Sequence, residues 1–289
     1  MAGSFSCGEA MPATDVAALL RTGVGLYEAG DLSRARELAE EALHAAEPRN
    51  EESFAEALLL LSNIYCAAED FAEAERLVTT CCCFVEEHLG AAHLGAATAR
   101  LNRAIILLER YRLQGGAAAE VGRAYDLLQA VERRLEDNVG SAARLLLAEV
   151  LHNSGVCCEL VGRYTDALTA YMRSMQIRVR YTDAAGVTDM KLALTMEHVA
   201  MLYRLMGGAK LQAALRLMEA VAATRRRYIG PRHPLYASAI LAQGVIAAEL
   251  GHKRRAAVLL RNVLEIRTRL YGAGDPQTRC VAQLLGETA

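Results

Sequence analysis

Val161-Gly162-Arg163-Tyr164-Thr165-Asp166-Ala167 separates two apolar stretches of helix length, and its reading decides the fold. One helix ends at the break, and a second follows, built around the small Ala167. The same phrase stands at Ala29-Gly30-Asp31-Leu32-Ser33-Arg34-Ala35, at Glu69-Asp70-Phe71-Ala72-Glu73-Ala74 and at Leu250-Gly251-His252-Lys253-Arg254-Arg255-Ala256. With Ala124 and Ala213 in the series, the small alanine recurs every 39 to 50 residues. A period of this length marks stacked supersecondary units, since one helix pair cannot bury its apolar face alone.

Composition agrees. Of 289 residues 53% are apolar but only 5% aromatic, with no Trp, so the core is mostly Ala, Leu and Val, which suits closely packed helices. The spacing predicts helix pairs at 13–29 and 32–46, 51–68 and 70–88, 93–113 and 117–136, 141–161 and 163–181, 187–206 and 209–228, and 233–250 and 252–271. A last helix near 276–286 covers the open end. Pro48 closes the first pair, and Gln114-Gly115-Gly116 makes the third the divergent one. Gly23, Ser62, Gly155, Ala200 and Gly244 share one place in the first helices, facing Ala35, Ala74, Ala167 and Ala256 in the second. Small residues at these places let paired helices approach closely. The expected fold is all-α, a right-handed superhelical solenoid of six helix pairs. Residues 1–12 form a flexible N-terminus, 13–271 the array, and 272–289 a capping helix and tail.

The small, aromatic and alanine positions resemble those of tetratricopeptide repeat proteins. Leu264-Glu265-Ile266-Arg267-Thr268-Arg269-Leu270-Tyr271-Gly272-Ala273-Gly274-Asp275-Pro276 is similar to the helix end and loop of kinesin light chain-type repeats. So are Arg225-Arg226-Arg227-Tyr228-Ile229-Gly230-Pro231-Arg232-His233-Pro234 and, without the prolines, His88-Leu89-Gly90-Ala91-Ala92-His93-Leu94. The resemblance implies that first helices line a concave groove that binds extended or helical peptides. By phase, Asn63, Asn102, Arg103, Glu109, His152, Asn153, Glu159, Glu197, Met201 and Arg204 face that groove. Asn102 and Asn153 matter most there, because an amide side chain both donates to and accepts from a peptide backbone. The carboxylate-gripping set of chaperone-binding relatives is not evident, which disfavours heat-shock protein tails as ligands.

The chain shows no phosphate-loop, zinc-protease or nucleophile-elbow motif and no paired-cysteine metal motif, so no catalytic residue, metal or cofactor is expected. The eight cysteines lack a C-x-x-C spacing and read as reduced thiols of a cytoplasmic protein. No stretch is apolar long enough to cross a bilayer, and residues 1–12 do not read as a signal peptide. Residues 1–140 carry 12 basic and 23 acidic side chains, and the remainder 20 and 11, so the ends differ in sign although the net charge is -2. That asymmetry suits partner steering or head-to-tail, charge-driven self-association, or is simply a solvated helical surface of drifting composition. Nucleic acid is disfavoured by the few stacking aromatics and the near-neutral balance. Arg225, Arg226 and Arg227 form a basic patch suited to acidic peptide, phosphate or the local helix dipole. The expected function is a non-catalytic scaffold or adaptor that grips a peptide segment within a multiprotein assembly. The alternative is a structural subunit of a cytoplasmic, cytoskeletal or flagellar assembly, docking through its convex face and charged ends.

Overall fold

The computed structural model describes residues 15–46, 51–183 and 190–288, and the expected N-terminal segment 1–12 and Pro48 lie outside them. Thirteen helices and no strand occur among the described residues. They are α1 (Val16–Glu28), α2 (Leu32–Ala46), α3 (Glu51–Ala67), α4 (Phe71–His88), α5 (Leu94–Gln114), α6 (Ala118–Leu135), α7 (Ser141–Leu160), α8 (Tyr164–Asp183), α9 (Met190–Met206), α10 (Lys210–Tyr228), α11 (Pro234–Glu249), α12 (Lys253–Tyr271) and α13 (Pro276–Thr288). Each predicted pair appears within a few residues of its expected bounds. The array divides into two compact units, Met1–Val131 and Glu132–Ala289, with the division inside α6.

In unit 1, α1 packs on α2, α2 on α3, α3 on α4 and α4 on α5, and the first helices α1, α3 and α5 also touch in series. In unit 2 the same sequential packing runs from α7 through α12 to α13. Within each of these two runs, helices are thus neighbours in space in the order in which the chain makes them. Val281 of α13 is fully buried in the C-terminal core, so this helix closes the apolar end of α12.

The turn inside four of the six hairpins is one device. The backbone amides of Asp31, Asp70, Arg163 and His252 donate to the carbonyls of Leu26, Tyr65, Cys158 and Ala247, five residues back, at 2.8 to 2.9 Å. This Schellman closure needs a left-handed residue just before the donor. Gly30, Gly162 and Gly251 supply it, whereas Glu69 adopts φ 62° at a steric cost that glycine avoids. Asp31 and Asp70 then cap the second helices through Oδ1, accepting from the amides of Arg34 at 3.3 Å and Glu73 at 3.2 Å.

Three of the loops between hairpins are also built alike. Gly90, Gly230 and Gly272 end α4, α10 and α12 with positive φ. His93, His233 and Asp275 follow as caps, accepting from the amides of Gly95, Leu235 and Thr278 at 3.1, 3.1 and 2.9 Å. Arg225 and Arg267 reach across these loops to the first-turn carbonyls of Leu235 at 3.0 Å and Gln277 at 3.3 Å, tying one repeat to the next.

The small positions act as the sequence predicts. Ala35, Ala74, Ala124, Ala167 and Ala256 are fully buried, as are Ser62 and Ala200. In the fifth repeat the buried residue is Ala214 rather than Ala213. Gly155 faces Tyr171 so closely that a Cβ there would lie 2.6 Å from the ring, and that ring is fully buried and cannot retreat. Gly155→Ala is therefore expected to destabilise the protein by roughly 1–3 kcal/mol. Gly122→Ala, on an exposed helix position with nothing within 4 Å, should stabilise it by about 0.5–1 kcal/mol. Urea unfolding of the two variants checks both signs.

Candidate functional site

In unit 1, Asn63 on α3 and Asn102 on α5 meet across adjacent first helices. The Asn102 Nδ2 donates to Asn63 Oδ1 at 3.1 Å, and both residues are half-buried. This leaves Asn102 Oδ1 and the Asn63 amide group available to a backbone laid across the two helices. Glu109 sits two turns further along α5 and accepts from Arg112 at 3.1 Å. Arg103 departs from expectation. It lies seven residues before Arg110, and both turn toward Glu75 of α4, at 3.5 and 3.0 Å, so Arg103 is held by an ion pair rather than offered from the first-helix face.

In unit 2, a polar cluster joins α7, α8 and α9. Tyr171 donates its hydroxyl to Glu159 Oε2 at 2.8 Å, and His198 Nδ1 lies 2.9 Å from the same oxygen. The His152 and His198 rings meet edge to face at 5.2 Å, and His152 Nδ1 lies 3.0 Å from Thr195 Oγ1. His152 is buried, which corrects its expected place on an open face. Burial, then repulsion from His198 and Arg178, pushes its pKa down to about 3, so the ring is neutral at ordinary pH. Burial pushes the Glu159 carboxyl up, but the hydrogen bonds from His198 and Tyr171 outweigh it and hold the group below the usual range. Asn153 donates to the Glu149 carbonyl of its own helix at 2.9 Å and keeps its oxygen.

Glu197 and Arg225 were expected in different places, one in the groove and one in a basic patch, yet they bind each other. Arg225 Nη1 and Nη2 meet Glu197 Oε1 and Oε2 at 3.2 and 2.6 Å, and the guanidinium is buried. A charge this deep requires such a partner, which removes Arg225 from the exposed patch and leaves Arg226 and Arg227. Met201 and Arg204 line a cavity of about 820 Å³ with Glu159, Tyr164, Leu205 and Glu249. Arg204 donates to Glu249 at 2.8 Å, and Leu205 is 63% exposed, so the mouth is apolar beside a neutralised pair.

Burial drives the thiols of Cys66 and Cys82 up to about 11 and those of Cys81 and Cys157 up to about 12, which keeps them protonated and unreactive. Among the described residues no group of three or more His, Cys, Asp or Glu side chains is arranged to hold a metal ion. No helix among them is long and apolar enough to cross a membrane.

Comparison with known proteins agrees with the fold. The tetratricopeptide repeat family profile matches residues 54–94 and 192–235, which cover α3–α4 and α9–α10 with the loops that follow. These two segments match tetratricopeptide repeats, and the chain resembles in fold proteins built from them, kinesin light chain-like ones included. The BtubC (BKLC) structure from P. vanneervenii is 14% identical, with TM-score 0.64 over 90% of this chain and 93% of that one. Kinesin light chain-like TPR repeats from Podosopora anserina are 16% identical, with TM-score 0.55 over 74% of this chain and 94% of theirs. A Rap protein in complex with Competence and Sporulation Factor is 12% identical, with TM-score 0.64 over 96% of this chain and 78% of its own. No curated protein matches the chain in sequence.

Two measurements separate buried from exposed charge. Arg225→Ala leaves Glu197 without its partner and should cost about 2–4 kcal/mol, whereas Arg226→Ala should fall within about 0.5 kcal/mol of the parent in urea unfolding. His152 has its folded pKa depressed below the ordinary 6.5, so the unfolded chain takes up a proton that the folded one refuses. Its contribution is complete above pH 6.5 and declines as pH falls toward about 3. The urea midpoint should therefore drop between pH 7.5 and pH 4.5, and by less in His152→Gln, which keeps an amide near Thr195 but does not titrate.

Proposed function

We propose that the protein is a non-catalytic interaction scaffold whose first-helix faces hold a segment of a partner protein. The observation that carries this reading is the Asn63–Asn102 pair. Two amide side chains on neighbouring first helices satisfy one another and still offer one acceptor and one donor group. That set suits a peptide backbone whatever its side chains. In unit 2 the cavity beside Met201, Tyr164 and Leu205 suits an apolar side chain, and the Arg204–Glu249 pair at its wall suits a neighbouring polar one. Glu159 and Asn153, half-buried on the same helix, belong to this face.

The solved structures it resembles support the reading by analogy, since one of them is a Rap protein in complex with Competence and Sporulation Factor. A cytoplasmic scaffold within a larger, cytoskeletal assembly fits the kinesin light chain-like resemblance. The test is selection of peptides from a random displayed library on the full chain, followed by titration of the selected peptides. Asn63→Ala and Asn102→Ala should each weaken binding about five- to tenfold, one hydrogen bond's worth, beside the loss of about 1 kcal/mol of stability that breaking their mutual hydrogen bond brings. Affinity unchanged in both variants, and in Met201→Glu, overturns the reading.

A further inference from the structure

The second-helix side of unit 2 carries a feature that peptide capture on the first helices does not use. A groove of about 620 Å³ runs between α10 and α12, floored by Tyr236, Ile240 and Gln243 of α11 and rimmed by Arg226, Arg227 and Asn262. Gln243 is held in the floor by donating to the Met218 carbonyl at 2.8 Å. The charges around the groove do not balance. Glu219 is occupied by Arg255 and Glu265 by Arg269. Arg216, Arg226, Arg227, Arg254 and Arg261 are exposed on α10 and α12 and form no ion pair among the described residues.

The opposite surplus sits in unit 1. Residues 1–131 hold 20 carboxylates against 10 basic side chains. Most carboxylates of its second helices are taken within the unit: Glu73 by Arg76, Glu75 by Arg110 and Glu86 by Arg100. On α2, Glu40 faces Arg36 at 3.7 Å, but Glu37 and Glu41 are exposed and form no ion pair among the described residues. They stand one turn apart on one face, a like-charge pair that opposes the helix unless a cation meets it.

We propose that the α10–α12 groove of one copy receives α2 of a second copy, with Glu37 and Glu41 on Arg226 and Arg227. The chain supplies both surpluses in fixed proportion, so a partner of matching charge is present wherever the protein is. The contact is heterologous: each molecule in it keeps one unused groove or one unused α2, and association continues until a ring closes or the chain of copies ends. It is also electrostatic and exposed, and so weakens as salt shortens the screening length.

Sedimentation velocity of the full chain tests this. In about 20 mM salt the average mass should rise with concentration above the 31.3 kDa monomer, and in about 500 mM salt it should return to it. R226E/R227E and E37R/E41R should each remain monomeric at low salt, with circular dichroism like that of the parent. Mixing the two, or combining all four reversals in one chain, should restore association. A parent that sediments as a monomer at low salt overturns the proposal. So does association that survives either reversal, or failure of both the mixture and the fourfold variant to associate; the latter two results assign any self-contact to other surfaces. Peptide titrations with the Asn63 and Asn102 variants are separate, so failure here leaves the first-helix reading standing, and the reverse.

Discussion

Close approach of paired helices at a residue with almost no side chain is the constraint on which the rest depends. At Gly155 the helix backbone lies against the fully buried Tyr171 ring, and at Gly23 and Gly244 the neighbouring Leu60 and Leu260 leave just over 3 Å for a Cβ. Ala35, Ala74, Ala167 and Ala256 do the same from the second helices. Hairpins set this close present broad apolar faces that only the next hairpin can cover, and stacking follows. The closures at Gly30, Glu69, Gly162 and Gly251, and the caps at His93, His233 and Asp275, then hold successive hairpins in repeated geometry.

Polar pairs complete the stacking, and their spacing is itself a repeat length. Asn63 and Asn102 are 39 residues apart, His198 and Glu159 also 39, His152 and Thr195 43, and Arg204 and Glu249 45. Each pair joins successive first helices. Such pairs fix how neighbouring hairpins register, and their unfilled valences define what the face can hold. The cluster of Tyr171, Glu159, His198 and His152 shows both roles. The buried ring stays neutral, the carboxylate stays charged, and the half-exposed edge borders the cavity at Met201.

Charge divides into two kinds with different consequences. Arg225 is buried against Glu197 and belongs to the structure, while Arg226 and Arg227, its neighbours, lie in water on the rim of the α10–α12 groove. Three consecutive arginines are indistinguishable by composition. A helix separates them by 100° each, and one of the three faces the core.

The sequence by itself determined the helix pairs, their turns and the small residues at their crossings. Period, glycine and cap are local signals, written in adjacent residues and repeated. It also marked Asn63 and Asn102 as candidates, because phase along a helix follows from numbering. Only the tertiary structure decided which of those side chains remain available. His152 was drawn into the core, Arg103 onto Glu75, and Arg225 onto Glu197, since partners 28 to 43 residues away compete for each group. The one-repeat spacing could have proposed such pairs. Choosing among them requires distances, because burying a polar group is tolerable only where a partner lies within hydrogen-bond reach.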